Sequence, residues 1–107
     1  MKILLDESLP RKLKRSFPVD NQVFTVKDKG WLGQKNGALL KLMVDEGFDV
    51  FVTVDRNLPY QQNIEILRVT IAILCAVNNR LESLQALIPK LIERLAEESL
   101  PKVIEVS

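Results

Sequence analysis

Residues 50–55 read Val-Phe-Val-Thr-Val-Asp, a β-branched and apolar run that ends in an acid. A run without polar alternation is typical of a strand that is covered on both faces. Two more runs share this character: residues 3–5, which precede Asp6 and Glu7, and residues 69–77. Such strands favour a parallel sheet, because helical crossovers then cover both of its faces.

The segment after residues 3–5 predicts a short helix. Its apolar side chains recur at every fourth position, which places them on one buried stripe. These residues are Leu9, Leu13 and Phe17. Ser8 is suited to cap this helix and Pro18 to end it. A second strand is predicted at residues 23–26.

Two longer helices are predicted further along the chain. The first has Asn36 as its expected N-cap and ends at Gly47, since glycine readily takes the left-handed conformation found after helices. The second opens with the capping-box pair Asn79 and Glu82. Pro89 lies inside it and predicts a kink or a break, because proline forfeits a backbone hydrogen bond.

A last strand is predicted at residues 103–106. Strands that alternate with helices predict a three-layer α/β/α fold with a central, mainly parallel sheet of about five strands. A length of 107 residues is the size of one domain, so we expect a single domain over residues 1–107.

The amino-acid composition limits the kinds of catalytic and metal-binding site that the chain can form. Hydrophobic residues make up 47% and charged residues 27% of the chain, which are ordinary globular values. There is no His and only one Cys, Cys75, which excludes histidine-based triads, disulfides and zinc sites with several thiolates. The groups that remain available for catalysis are carboxylates, hydroxyls, amides, Lys and Arg, with or without a bound hard cation.

The net charge and the hydropathy of the chain indicate which partners it can attract and where in the cell we expect it. The net charge of +1 provides no global attraction for nucleic acid or an anionic membrane, so such binding would need a local patch. No segment approaches the roughly 18 consecutive apolar residues that span a bilayer. We therefore expect a cytoplasmic protein without a membrane partner.

Acids follow two of the predicted strands, and their spacing suggests a metal site. Asp6 and Glu7 follow the first strand, and Asp55 follows the third. If these strands are neighbours, their backbones are about 4.8 Å apart and both carboxylates can reach one cation. Mg²⁺ or Mn²⁺ takes one or two carboxylates, keeps several waters and can activate one of them for attack on a phosphate.

Other interpretations of these acids stay open. An acid after a strand is often only a helix cap or a solvated turn residue. A phospho-acceptor of the response-regulator receiver kind also carries acids after its first and third strands. That class would need a Lys at the end of the last strand, where this chain has Glu105, Val106 and Ser107.

Residues 3–10 (ILLDESLP), 30–37 (GWLGQKNG) and 52–58 (VTVDRNL) occur in an order that resembles the DUF5615 family of PIN-like domains, within the Mut7-C-like PIN superfamily. The resemblance covers nearly the whole chain. It implies a PIN-like nuclease fold and an acidic Mg²⁺ or Mn²⁺ site. It also implies a role as the toxin of a prokaryotic toxin-antitoxin pair, with RNA as the substrate and an antitoxin protein as the partner.

The resemblance assigns metal binding and catalysis to Asp6 and Asp55, with Glu7 as a secondary ligand. Two positions depart from the family pattern. Many relatives have an acid where this chain has Asn36, and a second acid where it has Asn57. Each lost negative charge weakens metal binding. A non-catalytic PIN-like module that binds protein or RNA through a degenerate acidic site is therefore the alternative to a nuclease.

Polar side chains near the predicted site could contact the phosphates or sugar hydroxyls of a substrate. These candidates are Lys35, Asn36, Arg56, Asn57, Gln61 and Asn63. The first helix also carries a basic strip that could follow a nucleic-acid backbone, or simply be a solvated helix face. The strip consists of Arg11, Lys12, Lys14 and Arg15. The sequence leaves open whether the protein forms a homodimer.

Overall fold

The structure is a computed structural model that describes residues 1–61, 68–97 and 99–107, without the side chains of residues 60 and 61. Its five strands form one parallel sheet in the order β2-β1-β3-β4-β5. The strands are β1 (Lys2–Leu5), β2 (Gln22–Thr25), β3 (Val50–Thr53), β4 (Thr70–Leu74) and β5 (Val103–Val106). The predicted α/β class and the parallel five-stranded sheet are confirmed.

Helical segments connect the strands and cover both sheet faces. They are a 3-10 helix (Arg11–Ser16), α1 (Asn36–Asp45), α2 (Leu58–Gln61), α3 (Leu81–Gln85) and α4 (Ile88–Leu95). Successive strand side chains point to opposite faces, so each strand contributes to two apolar clusters. One cluster packs the sheet against the 3-10 helix, α3 and α4, and the other packs it against α1 and α2. This two-sided burial explains why the strands lack polar alternation.

The first crossover is a 3-10 helix, and its predicted buried stripe is confirmed. Leu9, Leu13 and Phe17 are all buried. The six-residue helix lies between Pro10 and Pro18, and so short a segment gains little from α-helical bonds. The predicted cap at Ser8 is wrong, since the N-cap is Pro10 and the Ser8 hydroxyl donates a hydrogen bond to the Asp6 carboxylate.

Two further predicted caps are wrong. Lys35, not Asn36, is the N-cap of α1, and it makes no side-chain capping bond. The capping box at Asn79 and Glu82 is not formed, since α3 begins one residue later, after Arg80. Cap positions depend on where the preceding loop lets the helix begin, which local residue types do not determine.

The interruption predicted at Pro89 is confirmed. The helix stops after Gln85 and restarts as α4, with Pro89 in the first turn, where proline costs no helical hydrogen bond. The prediction that α1 ends at a glycine in the left-handed conformation is also confirmed. Gly47 has a φ of 77°, a conformation that side chains disfavour. β4 is shorter than the apolar run at residues 69–77, and Val77 is 96% exposed.

Within the described part of the chain, no helix has the length and apolarity needed to cross a membrane.

The α4 side of the core provides a test of this packing. Leu91 is fully buried, whereas Val77 is almost fully exposed. We expect Leu91→Ala to lower the free energy of unfolding by about 2–5 kcal/mol, through lost burial and a residual cavity. Val77→Ala should change it by less than about 0.5 kcal/mol. Urea denaturation of both variants measures the difference, and equal midpoints would contradict the described packing.

Candidate functional site

The carboxyl ends of β1 and β3 meet at the point where strand order reverses. From β1 the chain continues to β2 on one side and, after α1, to β3 on the other side. β1 and β3 are hydrogen-bonded neighbours, with Leu5 paired to Val52. The gap beyond such strand ends is where ligands bind in open α/β sheets. Asp6 and Asp55 both follow these ends.

Hydrogen bonds of both its main chain and its side chain hold Asp6 in position. Its backbone N–H donates to the carbonyl oxygen of Val52 at 2.9 Å, which extends the pairing of β1 with β3 by one residue. Its Oδ2 accepts hydrogen bonds from the hydroxyl of Thr53 at 2.8 Å and from that of Ser8 at 3.0 Å. The carboxylate is therefore oriented before any ligand binds.

Thr53 connects Asp6 to Asp55. The same hydroxyl oxygen that donates to Asp6 accepts the backbone N–H of Asp55 at 3.1 Å. The Oδ1 of Asp55 then accepts the backbone N–H of Asn57 at 2.9 Å, which closes a tight turn. Thr53 is fully buried, so water cannot replace its hydroxyl. Sequence reasoning missed this role, although a lone hydroxyl in an apolar strand was a signal for it.

The two carboxylates fit a hard divalent cation. In the part of the chain that is described, Asp6 Oδ1 and Asp55 Oδ2 accept no hydrogen bond, so each carboxylate keeps one oxygen for a ligand. Mg²⁺ needs only one or two carboxylates when waters complete its shell. Across the described ranges, no three Asp, Glu, His or Cys side chains are grouped to hold a metal.

A cavity of about 370 Å³ lies beside Asp6 and Glu7. The side chains of Arg11 and Lys27 also line it. Two acids and two bases thus share one cavity, whereas Asp55 does not line it. Sequence reasoning did not identify Lys27, because it lies in a loop whose path only the fold reveals.

The other predicted site residues are only partly brought together. Arg56 and Asn57 are exposed in the turn after Asp55. Lys35 and Asn36 lie at the start of α1 and do not line the 370 Å³ cavity. For the remaining two, the side chain of Gln61 and the whole of Asn63 lie outside the described residues.

The loop that carries Lys27 is fixed by Asp28. The Asp28 carboxylate accepts the backbone N–H of Thr25 and a bond from Lys14 Nζ, both at 2.9 Å, and the Asp28 N–H donates to the Thr25 hydroxyl. The backbone bond from Thr25, followed by the bond from Lys14, lowers the pKa of Asp28 below its ordinary value of 3.8. Further along the loop, Trp31 packs edge-on against Phe48.

The lowered pKa of Asp28 predicts an acid-sensitive contribution to stability. A carboxylate whose pKa falls on folding stabilises the fold above its unfolded pKa and loses that effect as pH falls through the folded pKa. We expect Asp28→Asn to lower Tm at neutral pH and to lose less stability than the wild type on acidification below pH 3.8. Asp20→Asn, at an exposed position, is the control and should follow the wild type. Parallel wild-type and Asp28→Asn curves would contradict this role.

The Thr53 hydroxyl provides a second test. Thr53→Val removes the donor to Asp6 and leaves the N–H of Asp55 without its acceptor, so we expect a loss of about 1–3 kcal/mol of unfolding free energy. Thr70→Val is the matched control, because the Thr70 hydroxyl makes only one bond, at 3.5 Å, to Pro101. Urea denaturation should show a clearly larger loss for Thr53→Val. A loss no larger than that of the control would show that the Thr53 bonds contribute little.

Comparisons of the chain with protein family models, with curated proteins and with solved structures found no match. A function for this chain must therefore be argued from the geometry of the β1 and β3 ends and from the three sequence blocks that resemble PIN-like domains.

Proposed function

We propose that the protein is a metal-dependent ribonuclease of PIN-like type, acting in the cytoplasm as the toxin of a prokaryotic toxin-antitoxin pair. One observation carries the proposal. Asp6 and Asp55, which are 49 positions apart in the chain, are joined through one buried hydroxyl at the switch point of the sheet, and each keeps a carboxylate oxygen for a ligand.

In this proposal Asp6 and Asp55 hold Mg²⁺ or Mn²⁺, with Glu7 as a secondary ligand. The bound ion would supply Lewis-acid activation of water and neutralise charge that develops on a phosphodiester. Arg11 and Lys27, which line the same cavity as Asp6 and Glu7, would hold the phosphate of the RNA. The chain has no His, so no imidazole shares in proton transfer.

More distant contacts to RNA remain predictions of the sequence. They are assigned to Lys35, Asn36, Arg56, Asn57, Gln61 and Asn63. The PIN-like family assignment, the toxin role and the antitoxin partner rest on the resemblance of residues 3–10, 30–37 and 52–58. The parallel α/β sheet with helices on both faces is compatible with that assignment.

Substitutions that keep the side-chain shape and remove the charge test the proposed nuclease. Asp6→Asn and Asp55→Asn should each reduce Mn²⁺-dependent cleavage of single-stranded RNA by more than about 100-fold, since removing a ligand should cost at least as much as removing the groups that orient one. Asp45→Asn removes an exposed carboxylate at the end of α1 and is the matched control. Circular dichroism checks that all three variants fold. Full activity in both site variants, or activity in excess chelator, would refute the proposal.

A non-catalytic binding module is the second candidate. It is favoured by Asn36 and Asn57, which stand where relatives carry acids, and by the lack of a three-acid cluster within the described residues. Such a module would show no heat of Mn²⁺ binding at millimolar concentrations, and its binding to RNA or protein would be insensitive to chelator.

The receiver alternative has one observation in its favour. The strand order β2-β1-β3-β4-β5 is that of flavodoxin-type folds, a class that includes receivers. Against it, β5 ends at Val106 and is followed by Ser107, with no Lys at that end of the strand. Labelling with a small phosphodonor, compared between the wild type and Asp55→Asn, separates this reading from the nuclease.

A further inference from the structure

Three cations of the 3-10 helix lack ion-pair partners. Lys14 pairs with Asp28, whereas no side-chain ion pair or hydrogen bond is found for Arg11, Lys12 or Arg15 among the described residues. All three are exposed. In a chain whose net charge is only +1, this strip is a concentrated positive patch that can attract an anionic partner.

These cations form one wall of a groove. Its volume is about 730 Å³, and it lies between the 3-10 helix and strand β2. Its other lining residues include the apolar side chains of Phe17, Val19 and Val23. We call this feature the basic groove. Val19 is completely exposed, so it provides an apolar contact that nothing in the described structure covers.

Strand β2, which borders the basic groove, is an edge of the sheet. The backbone N–H groups of Gln22 and Val26 donate to β1, so those of Val23 and Thr25 point away from it. Asp28 accepts the N–H of Thr25. Within the described residues, no bond on the outer side is found for the backbone of Val23, which is 9% exposed and so offers at most one backbone pair to an added extended chain.

The lining of the basic groove favours a peptide over RNA. Grooves for single-stranded nucleic acid combine cations with exposed aromatic rings on which bases stack. Phe17 is the only aromatic residue that lines this groove, and it is 7% exposed. Cations, an aliphatic contact and a free backbone pair together match an extended peptide with acidic and apolar side chains.

We propose that the basic groove binds an extended acidic segment of another protein. Carboxylates of that segment pair with Arg11, Lys12 and Arg15, one of its apolar side chains covers Val19, and its backbone pairs with Val23. This interaction does not depend on the proposed nuclease activity. Arg11 and Thr25 line both the basic groove and the cavity beside Asp6, so a bound segment would reach the edge of that cavity.

Fluorescence anisotropy with the whole chain tests the proposal. The probe is a labelled octapeptide of alternating Asp and Leu, and its partner probe carries Lys in place of each Asp. Only the acidic probe should bind, and its affinity should fall as salt rises. Lys12→Gln and Arg15→Gln should each weaken binding by about two- to fivefold, the range of an exposed ion pair. Val19→Ser should weaken it as well.

Lys41→Gln is the matched control. It removes the same charge from an exposed position on α1 and should leave the affinity unchanged. Equal binding of the acidic and basic probes, or losses in Lys41→Gln as large as those in Lys12→Gln and Arg15→Gln, would overturn the proposal. Binding of a labelled single-stranded RNA that depends on Lys12 and Arg15, with no binding of the acidic peptide, would overturn it in favour of a nucleic-acid surface.

Discussion

The hydroxyl of Thr53 is the interaction on which the arrangement of the candidate site depends. Asp6 and Asp55 follow neighbouring strands, and one side chain bonds to both residues. Thr53 donates to Asp6 and accepts from the backbone of Asp55, so one buried group sets the position of both segments. The parallel pairing of β1 with β3 brings the ends of the two strands together, which puts Thr53 within reach of Asp6.

Charge is distributed unevenly around this site, although the chain as a whole is nearly neutral. Asp6 and Glu7 share a cavity with Arg11 and Lys27, and the cations continue along the 3-10 helix beyond it. Asp28 holds the intervening loop through Thr25 and Lys14. Acidic and basic side chains therefore lie side by side at this end of the sheet, and the basic ones continue along the 3-10 helix as a surface that an anionic partner could recognise.

Much of the fold was predictable because strand burial leaves a strong local signal. Apolar runs without alternation at residues 3–5, 50–54 and 69–77 are typical of a sheet covered on both faces, and each run overlaps a strand, although the strand in the last run ends at Leu74. Pro89 predicted a break because the cost of its missing N–H is local. The caps at Asn36 and Asn79 failed for the opposite reason, since the start of each helix depends on the geometry of the preceding loop.

The sequence by itself determined the fold class, the places where strands end in acids, and the exclusion of imidazole and multi-thiolate chemistry. Only the tertiary structure decided that β1 and β3 are neighbours at a switch point, that Thr53 joins Asp6 to Asp55, and that Lys27 lines the cavity beside Asp6 while Lys35 does not. The reason is physical: periodicity and propensity act over a few residues, whereas strand order and loop path depend on contacts between residues far apart in the chain.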